Sequence, residues 1–240
     1  MTTDLMPPSS STSSSTSAAV PARSAGSLLL PIAGGALIAG SLLYAAGLAT
    51  SPPQASLAPA DYIESLARDE GRTALSALLL HYGNIAMGLA WLAAPALVRG
   101  RRGRIGTVVG ALMAALGLVT MAGNVLFDFW TGAIGRELES GTALALFENV
   151  ASSPGVAIVG TVTLFGLLGP FVALGGLARA GVTSWWLLAP AVAAFAASAA
   201  FTFQPLLYAG FALVGAVPLV VVGLRMIQRN RAEASAAAVA

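Results

Sequence analysis

TALSALLLHYGNIAMGLAWLAAPALVRGRRGRIGTVVGALMAALGLVTMAGNVLF, residues 73–127, holds the pattern that decides the fold. Two apolar runs, 73–98 and 105–127, flank the basic hexapeptide RGRRGR. A helix rises about 1.5 Å per residue, so about 20 apolar residues cross the roughly 30 Å of hydrocarbon in a bilayer. Both runs are long enough. The short connection therefore predicts two antiparallel transmembrane helices that meet at an arginine-rich end.

The composition of the whole chain is that of a membrane protein. Of 240 residues, 57% are hydrophobic and 9% are charged, whereas about a quarter of the residues of an ordinary soluble domain are charged. Four further apolar runs follow the same length rule, at 27–50, 154–177, 185–201 and 205–227, the third of them being the shortest. The expected fold is all-α, a polytopic bundle of six transmembrane helices.

Three regions are expected along the chain. Residues 1–26 form a Ser/Thr/Pro-rich tail with too few apolar residues to offset the entropy of ordering, which predicts disorder. Residues 27–227 form the six-helix transmembrane domain, whose first run is longer than the apolar core of a secretory signal. Residues 228–240 form a C-terminal tail.

The basic residues predict the orientation of the bundle. All 12 are arginines, and most fall in segments that share one side if both termini are cytoplasmic, whereas most of the acidic residues fall in the two long loops on the other side. Arginines near span ends concentrate on the cytoplasmic side. We therefore expect a multi-pass protein of the plasma membrane with both termini in the cytoplasm.

Both long outer loops carry helical patterns. In SPPQASLAPADYIESLARDEGR, 51–72, Pro59 opens a helical pattern. Its apolar side chains share one face and its charged side chains another, the apolar ones being Tyr62, Ile63 and Leu66 and the charged ones Asp61, Glu64 and Arg68. The loop at 129–153 mixes leucines with glutamates in the same way. Both patterns predict short helices that lie on the outer membrane surface.

The polar residues inside the spans point to one candidate site. His81 is the only histidine, and by distance from the RGRRGR loop it matches position 122 on the partner helix. Asn84 shares its face at i,i+3, while Thr120 and Asn124 lie within about one turn in height. Asp128 follows Asn124 at i,i+4. The polar intramembrane site expected from this convergence comprises His81, Asn84, Thr120, Asn124 and Asp128.

Two interpretations of this site stay open. As a functional site it binds a cation, a proton or a small solute, with His81 changing charge near neutral pH and Asp128 as counter-ion. As a structural clasp, its His, Asn and Thr side chains hydrogen-bond between helices and stabilise the fold by roughly 0.6 to 2 kcal/mol per contact. Asp128 also lies where its span leaves the bilayer, and a hydrated carboxylate there requires no function.

Small residues predict close helix packing. Gly106, Gly110 and Ala114 recur every fourth residue in the third span, as do alanines 189, 193 and 197 in the fifth. Such ridges let helix backbones approach one another, within one chain or between two copies. We expect packing within the chain.

The sequence shows no apparatus for catalysis. It has no cysteine and one histidine, so thiolate metal sites and a di-haem cytochrome are excluded. It carries no H-E-x-x-H zinc motif, no G-x-S-x-G elbow and no glycine loop in a strand-to-helix setting. We therefore expect no enzyme, no metal site and no cofactor. Nucleic acid is not an expected partner, because the arginines are scattered between apolar spans.

The order of these features resembles a known type of protein. PADYIESLARDEGR leads into the histidine-bearing span, RGRRGR follows, and a glycine-rich span ends in Asp128. This arrangement, over residues 27–227, resembles uncharacterised six-span membrane proteins of GC-rich actinobacteria. The resemblance implies the helical membrane fold and assigns no role to any residue.

Two functions are compatible with these observations. The preferred one is a non-enzymatic integral membrane protein that acts in membrane association or envelope support, with the lipid bilayer, another copy of the chain or another membrane protein as partners. The alternative is a small proton-linked transporter or channel that uses the polar site around His81.

Overall fold

The structure is a computed structural model that describes residues 25–201 and 204–239, which form helices and no strands. Apart from single turns of 3-10 helix at Ala94–Leu97 and Trp185–Leu187, the described elements are α1 (Ala25–Thr50), α2 (Pro59–Arg68), α3 (Glu70–Trp91), α4 (Arg104–Val125), α5 (Phe127–Glu137), α6 (Ser140–Ala151), α7 (Pro154–Arg179), α8 (Leu188–Ala200) and α9 (Pro205–Val239). The expected all-α class is confirmed. Of the tail predicted at 1–26, residues 1–24 lie outside the described part.

In the described part of the chain, five helical segments are long and apolar enough to cross a membrane: Leu28–Thr50, Glu70–Leu97, Arg104–Glu137, Pro154–Arg179 and Pro205–Arg231. They coincide with five of the six predicted runs. The run at 185–201 forms a shorter apolar segment, Trp185–Ala200, because its first turn is 3-10 helix and the helix stops at Ala200. α9 continues beyond its apolar part through the predicted tail to Val239.

Six of the helices form a ring in chain order. α1 packs between α9 and α3, α4 packs between α3 and α7, and α8 packs along α9. We call the end with the loop 99–104 the arginine end and the opposite end, which carries α2, α5 and α6, the capped end. The first turns of α1 meet the later part of α9 at the arginine end, where Gly34 faces Gly223. There Arg229 of α9 also donates a hydrogen bond to the carbonyl oxygen of Leu97 at 3.0 Å.

The arginine end holds the densest part of the core. Large side chains from four helices are less than 2% exposed there, namely Leu37, Trp91, Leu174, Leu177 and Met226. Each such side chain contributes about 1.5 to 3 kcal/mol when fully buried from water, and in lipid its close packing takes over that role. This cluster closes one end of the ring.

α4 and α7 pack backbone to backbone. A Cβ atom on Gly117 would lie 1.7 Å from the amide nitrogen of Gly166, and one on Gly110 would lie 2.1 Å from that of Ala173. The predicted ridge in the third span therefore packs within the chain, as expected, and its partner is α7. The alanine ridge in α8 behaves differently, because Ala189 and its two repeats face outward or are only half-buried, whereas Ala191 and Ala194 are buried.

The capped end is built on α5, which follows α4 after a single turn residue. α2 packs on α5 through Ile63 and Ile134, which are 5% and 8% exposed. A Cβ on Gly135 would lie 2.8 Å from the Cγ2 atom of Ile63, so the glycine permits this close approach. The helix predicted to open at Pro59 is confirmed as α2, but its apolar face is covered by α5. Burial against a neighbouring helix occupies the face that was expected to contact lipid.

Candidate functional site

The structure separates the five predicted site residues among four different environments. His81 joins α3 to α4, Asn124 joins α4 to α7, Asp128 joins α5 to α2, and Asn84 faces the centre of the ring. The hydroxyl of Thr120 donates to the carbonyl of Leu116 on its own helix at 2.8 Å. These residues do not converge on one point.

His81 caps the end of α4. Its Nδ1 lies 2.8 Å from the carbonyl oxygen of Ala122, the position matched to it by depth in the sequence. A carbonyl can only accept, so Nδ1 carries the proton. The next amide that would reach Ala122 in a regular helix, that of Leu126, bonds instead to Gly123 at 3.2 Å. His81 thus satisfies a carbonyl at a helix end, where the last turn lacks intrahelical partners.

Asn124 links α4 and α7 on the outside of the ring. Its Nδ2 donates to the hydroxyl oxygen of Thr163 at 2.9 Å, and the hydroxyl of Thr163 donates in turn to the carbonyl of Val159 at 3.0 Å. Side-chain bonds of this kind between helices stabilise membrane bundles by roughly 0.6 to 2 kcal/mol. The Asn124 amide and the Thr163 hydroxyl both belong to the packing of the bundle.

Asp128 pairs with Tyr62 and not with His81. The phenol of Tyr62 on α2 donates a hydrogen bond to the Asp128 carboxylate at the start of α5. Burial, and after it the negative charge of Asp128, raises the pKa of Tyr62 above its ordinary value near 10. The phenol therefore stays protonated and keeps donating. This hydrogen bond holds α2 against the start of α5, directly after α4.

Asn84 is the predicted residue that faces a cavity. Its side chain is fully buried, and its Nδ2 donates to the carbonyl of Leu80 at 2.9 Å. Its Oδ1 is buried and has no hydrogen-bond partner among the described residues. A buried acceptor without a partner costs about 1 to 3 kcal/mol, which makes it an exception that requires an explanation.

The central cavity has a volume of about 250 Å³ and is lined by all six helices of the ring. This exceeds the ~150 Å³ of an apolar cavity known to hold benzene. Most of the lining is aliphatic or aromatic, and no lining residue carries a charge. The polar side chains at its wall are Ser41, Tyr44, Asn84, Trp91, Ser198 and Tyr208.

Most of these polar groups are already engaged within the protein. The hydroxyl of Ser41 donates to the carbonyl of Ile38 at 2.8 Å, and that of Tyr208 donates to the carbonyl of Ser198 at 2.6 Å. Trp91 differs, because its Nε1 is buried and has no partner among the described residues. Two side chains of the cavity wall therefore carry a buried polar atom without a partner among the described residues, namely the acceptor Oδ1 of Asn84 and the donor Nε1 of Trp91.

The side chains of Asn84 and Trp91 both belong to α3. Asn84 and Trp91 are seven residues apart, which places them on one helical face and about 10 Å apart along the axis. A partner that satisfies both must be elongated, with a donor at one end and an acceptor at the other. The sequence signal was the i,i+7 spacing of a polar and an aromatic side chain, but periodicity alone does not reveal that this face meets a cavity.

The arrangement is chemically suited to binding. Within residues 25–201 and 204–239, no group of three or more His, Asp or Glu side chains is placed to hold a metal ion. Apolar walls with a few placed polar groups are typical of small-molecule pockets.

Comparisons of the chain with protein-family models, curated proteins and solved structures found no match.

Proposed function

We propose that this chain is a non-enzymatic protein of the plasma membrane that binds a small, mainly apolar molecule in the cavity at the centre of its helical ring. In this proposal α8 provides a sixth crossing, the arginine end faces the cytoplasm, and both termini lie there. The bound molecule is a membrane component, and holding it serves membrane association or envelope support. The resemblance to six-span proteins of GC-rich actinobacteria agrees with this architecture.

A single observation carries the proposal: two residues of the cavity wall each hold a buried polar atom that has no partner among the described residues, the acceptor Oδ1 of Asn84 and the donor Nε1 of Trp91. Buried polar groups are hydrogen-bonded in the great majority of cases, so two exceptions on one wall of one cavity indicate a ligand. In this proposal the apolar walls contact the ligand through dispersion forces, and hydrogen bonds to Asn84 and Trp91 fix the orientation of the ligand. Among the described residues, no histidine and no charged side chain lines the cavity, so its serine and tyrosine hydroxyls have no base there to activate them, which favours binding over chemistry.

Proton-linked transport through His81 is supported less well. The Nδ1 of His81 is occupied by the carbonyl of Ala122, and His81 does not line the cavity. A proton carrier requires access to the path of the transported species. The clasp interpretation accounts for His81 through the hydrogen bond that it makes.

Photolabelling tests the binding proposal. The purified protein is placed in vesicles of phosphatidylethanolamine and phosphatidylglycerol, exposed to a diazirine derivative of 1-decanol, irradiated and digested, and the label is located by mass spectrometry. We expect label on cavity-lining peptides and suppression by excess 1-decanol. Label confined to the lipid-facing surface, without competition, would refute binding in the cavity.

Matched variants sharpen this test. Ala212→Phe fills the cavity from α9 and should lower labelling there by about tenfold, the equivalent of ~1.4 kcal/mol. Leu213→Phe changes the adjacent side chain, which is 49% exposed and outside the cavity lining, and should leave labelling unchanged. Equal labelling of the two variants would contradict the assignment, provided that thermal unfolding shows both to be folded.

A further inference from the structure

One residue in the wall of the central cavity also faces outward. Among the described residues that line it, Phe195 on α8 is the only one classed as exposed, with 44% of its surface accessible. A side chain that both lines a cavity and faces outward marks an opening. Phe195 contacts Phe171 of α7 edge to face, with ring centroids 5.9 Å apart. The opening therefore lies between α7 and α8.

The same pair of helices makes the weakest junction of the ring. Of the six neighbouring pairs, α7 and α8 have the sparsest contact. Trp185–Ala200 reaches only about 24 Å from the arginine end, whereas α7 reaches about 39 Å. The part of α7 that extends past α8, residues 154–161, is exposed on every side. Two helices that pack loosely over unequal lengths can separate with little loss of contact.

The route from water at the arginine end is less favourable. At the arginine end, the fully buried side chains of Trp91, Leu177 and Met226 belong to the cluster that closes the ring. The cavity also lacks any charged side chain that would replace the hydration of an ionic solute. A ligand dissolved in the hydrocarbon of the bilayer needs no such replacement and lies directly against Phe195.

We infer that the cavity takes its ligand sideways from the bilayer, between α7 and α8 past Phe195, and that this ligand is a lipid-soluble molecule with a hydroxyl or N–H donor for Asn84 and an oxygen acceptor for Trp91. This inference rests on the proposed binding function and adds to it the ligand class and the route of entry. Phe171 and Phe195 form the gate, and α8 is the element that moves.

A reversible cross-link tests the route. The chain contains no cysteine, so Phe171→Cys/Phe195→Cys introduces the only two thiols. A short bifunctional methanethiosulfonate joins them, and a reductant releases them. Cross-linking before the diazirine decanol is added should lower cavity labelling by about tenfold or more, because the gate stays closed. Cross-linking afterwards should trap the probe against a chase of unlabelled 1-decanol, and reduction should restore exchange.

Two controls separate closure from side effects. Val109→Cys/Val172→Cys places the same cross-link between the outward faces of α4 and α7, and labelling should persist. A monofunctional methanethiosulfonate on the gate pair adds bulk without a bridge and should not trap the probe. Trapping with both cysteine pairs would overturn lateral entry, because it would show a general loss of motion.

The outcomes also distinguish this inference from the function on which it rests. If the unaltered protein is not labelled in the cavity, the proposed function fails. If it is labelled and the cross-linked gate pair exchanges probe at the same rate, binding stands and entry past Phe195 is refuted. For the ligand class, Asn84→Leu should weaken labelling by the decanol probe about fivefold, with no effect on a diazirine derivative of decane, which has no hydroxyl. Equal loss of both probes would refute the hydroxyl contact.

Discussion

The role of a single residue, His81, can be separated from transport by two substitutions. His81→Ala removes the donor to the carbonyl of Ala122 and should lower the free energy of unfolding by about 1 kcal/mol. His81→Asn places an amide N–H near the position of Nδ1 and should recover much of that loss. Thermal unfolding in detergent gives the comparison. Full stability of His81→Ala, together with loss of cavity labelling, would show that His81 acts on the ligand instead.

Tyr62 provides a residue-scale prediction about pH. Because its pKa is raised in the folded protein, the stability associated with the protonated phenol is fully present below pH ~10 and is lost as the pH rises above that value, where unfolded tyrosine ionises and folded Tyr62 does not. The difference in unfolding free energy between the unaltered protein and Tyr62→Phe should therefore be constant from pH 7 to about 9.5 and then shrink by up to about 1.4 kcal/mol per pH unit. Melting curves of both proteins from pH 7 to 11 measure it. A constant difference throughout would mean that Tyr62 ionises normally.

At the scale of elements, the contact between α4 and α7 depends on the absence of side chains. Gly117→Ala would place a Cβ 1.7 Å from the backbone of Gly166, so the helices must separate. We expect a loss of about 1 to 3 kcal/mol, the usual cost of overpacking. Gly123→Ala on the same helix meets no atom within 4 Å and should be neutral or slightly stabilising. Unfolding in detergent compares the two, and equal effects would show that close approach of α4 and α7 contributes little.

The elements also show which features a sequence predicts well. Depth follows from counting residues at 1.5 Å each, which is why position 122 was matched correctly to His81. Rotation is harder to predict, because residues at i,i+3 are offset by about 60° around the helix axis. That offset is enough for His81 to meet α4 while Asn84 faces the cavity. The prediction that five polar residues form one site did not take into account that His81 and Asn84 point in different directions from α3.

The sequence also does not reveal which separate helices contact one another. Tyr62 and Asp128 are 66 residues apart, and nothing local marks them as partners. The apolar face of α2 is equally compatible with lipid or with another helix, so its packing on α5 could not be chosen from periodicity. The shortness of α8 had a visible cause, since 185–201 was the shortest apolar run.

At the scale of the whole molecule, α8 determines the topology. Because α8 stands in the ring between α7 and α9, the chain runs along α8 from the arginine end toward the capped end and returns along α9. A segment of about 24 Å is shorter than the roughly 30 Å of hydrocarbon, so a crossing by this segment requires the bilayer to thin around it. If α8 crosses, the chain makes six crossings and both termini share a side. If it does not, α9 must run in the opposite direction, against its contacts with Gly34 and Leu97 at the arginine end, and the C-terminus lies outside.

Single cysteines in the otherwise cysteine-free chain decide between these topologies. Gly141→Cys and Gln204→Cys should react with a membrane-impermeant maleimide on intact cells, because both lie at the capped end, which is expected to face outward. Gly100→Cys and Ser235→Cys should react only after the membrane is permeabilised. All four positions are exposed on the protein, so failure to react does not report burial within the fold; at Gln204, which adjoins the span Pro205–Arg231, it reports either the side of the membrane or cover by lipid. Labelling of Ser235→Cys on intact cells would reduce the crossings to five. It would also remove the basis for a gate between α7 and α8, since the gate requires both helices to stand in the same bilayer.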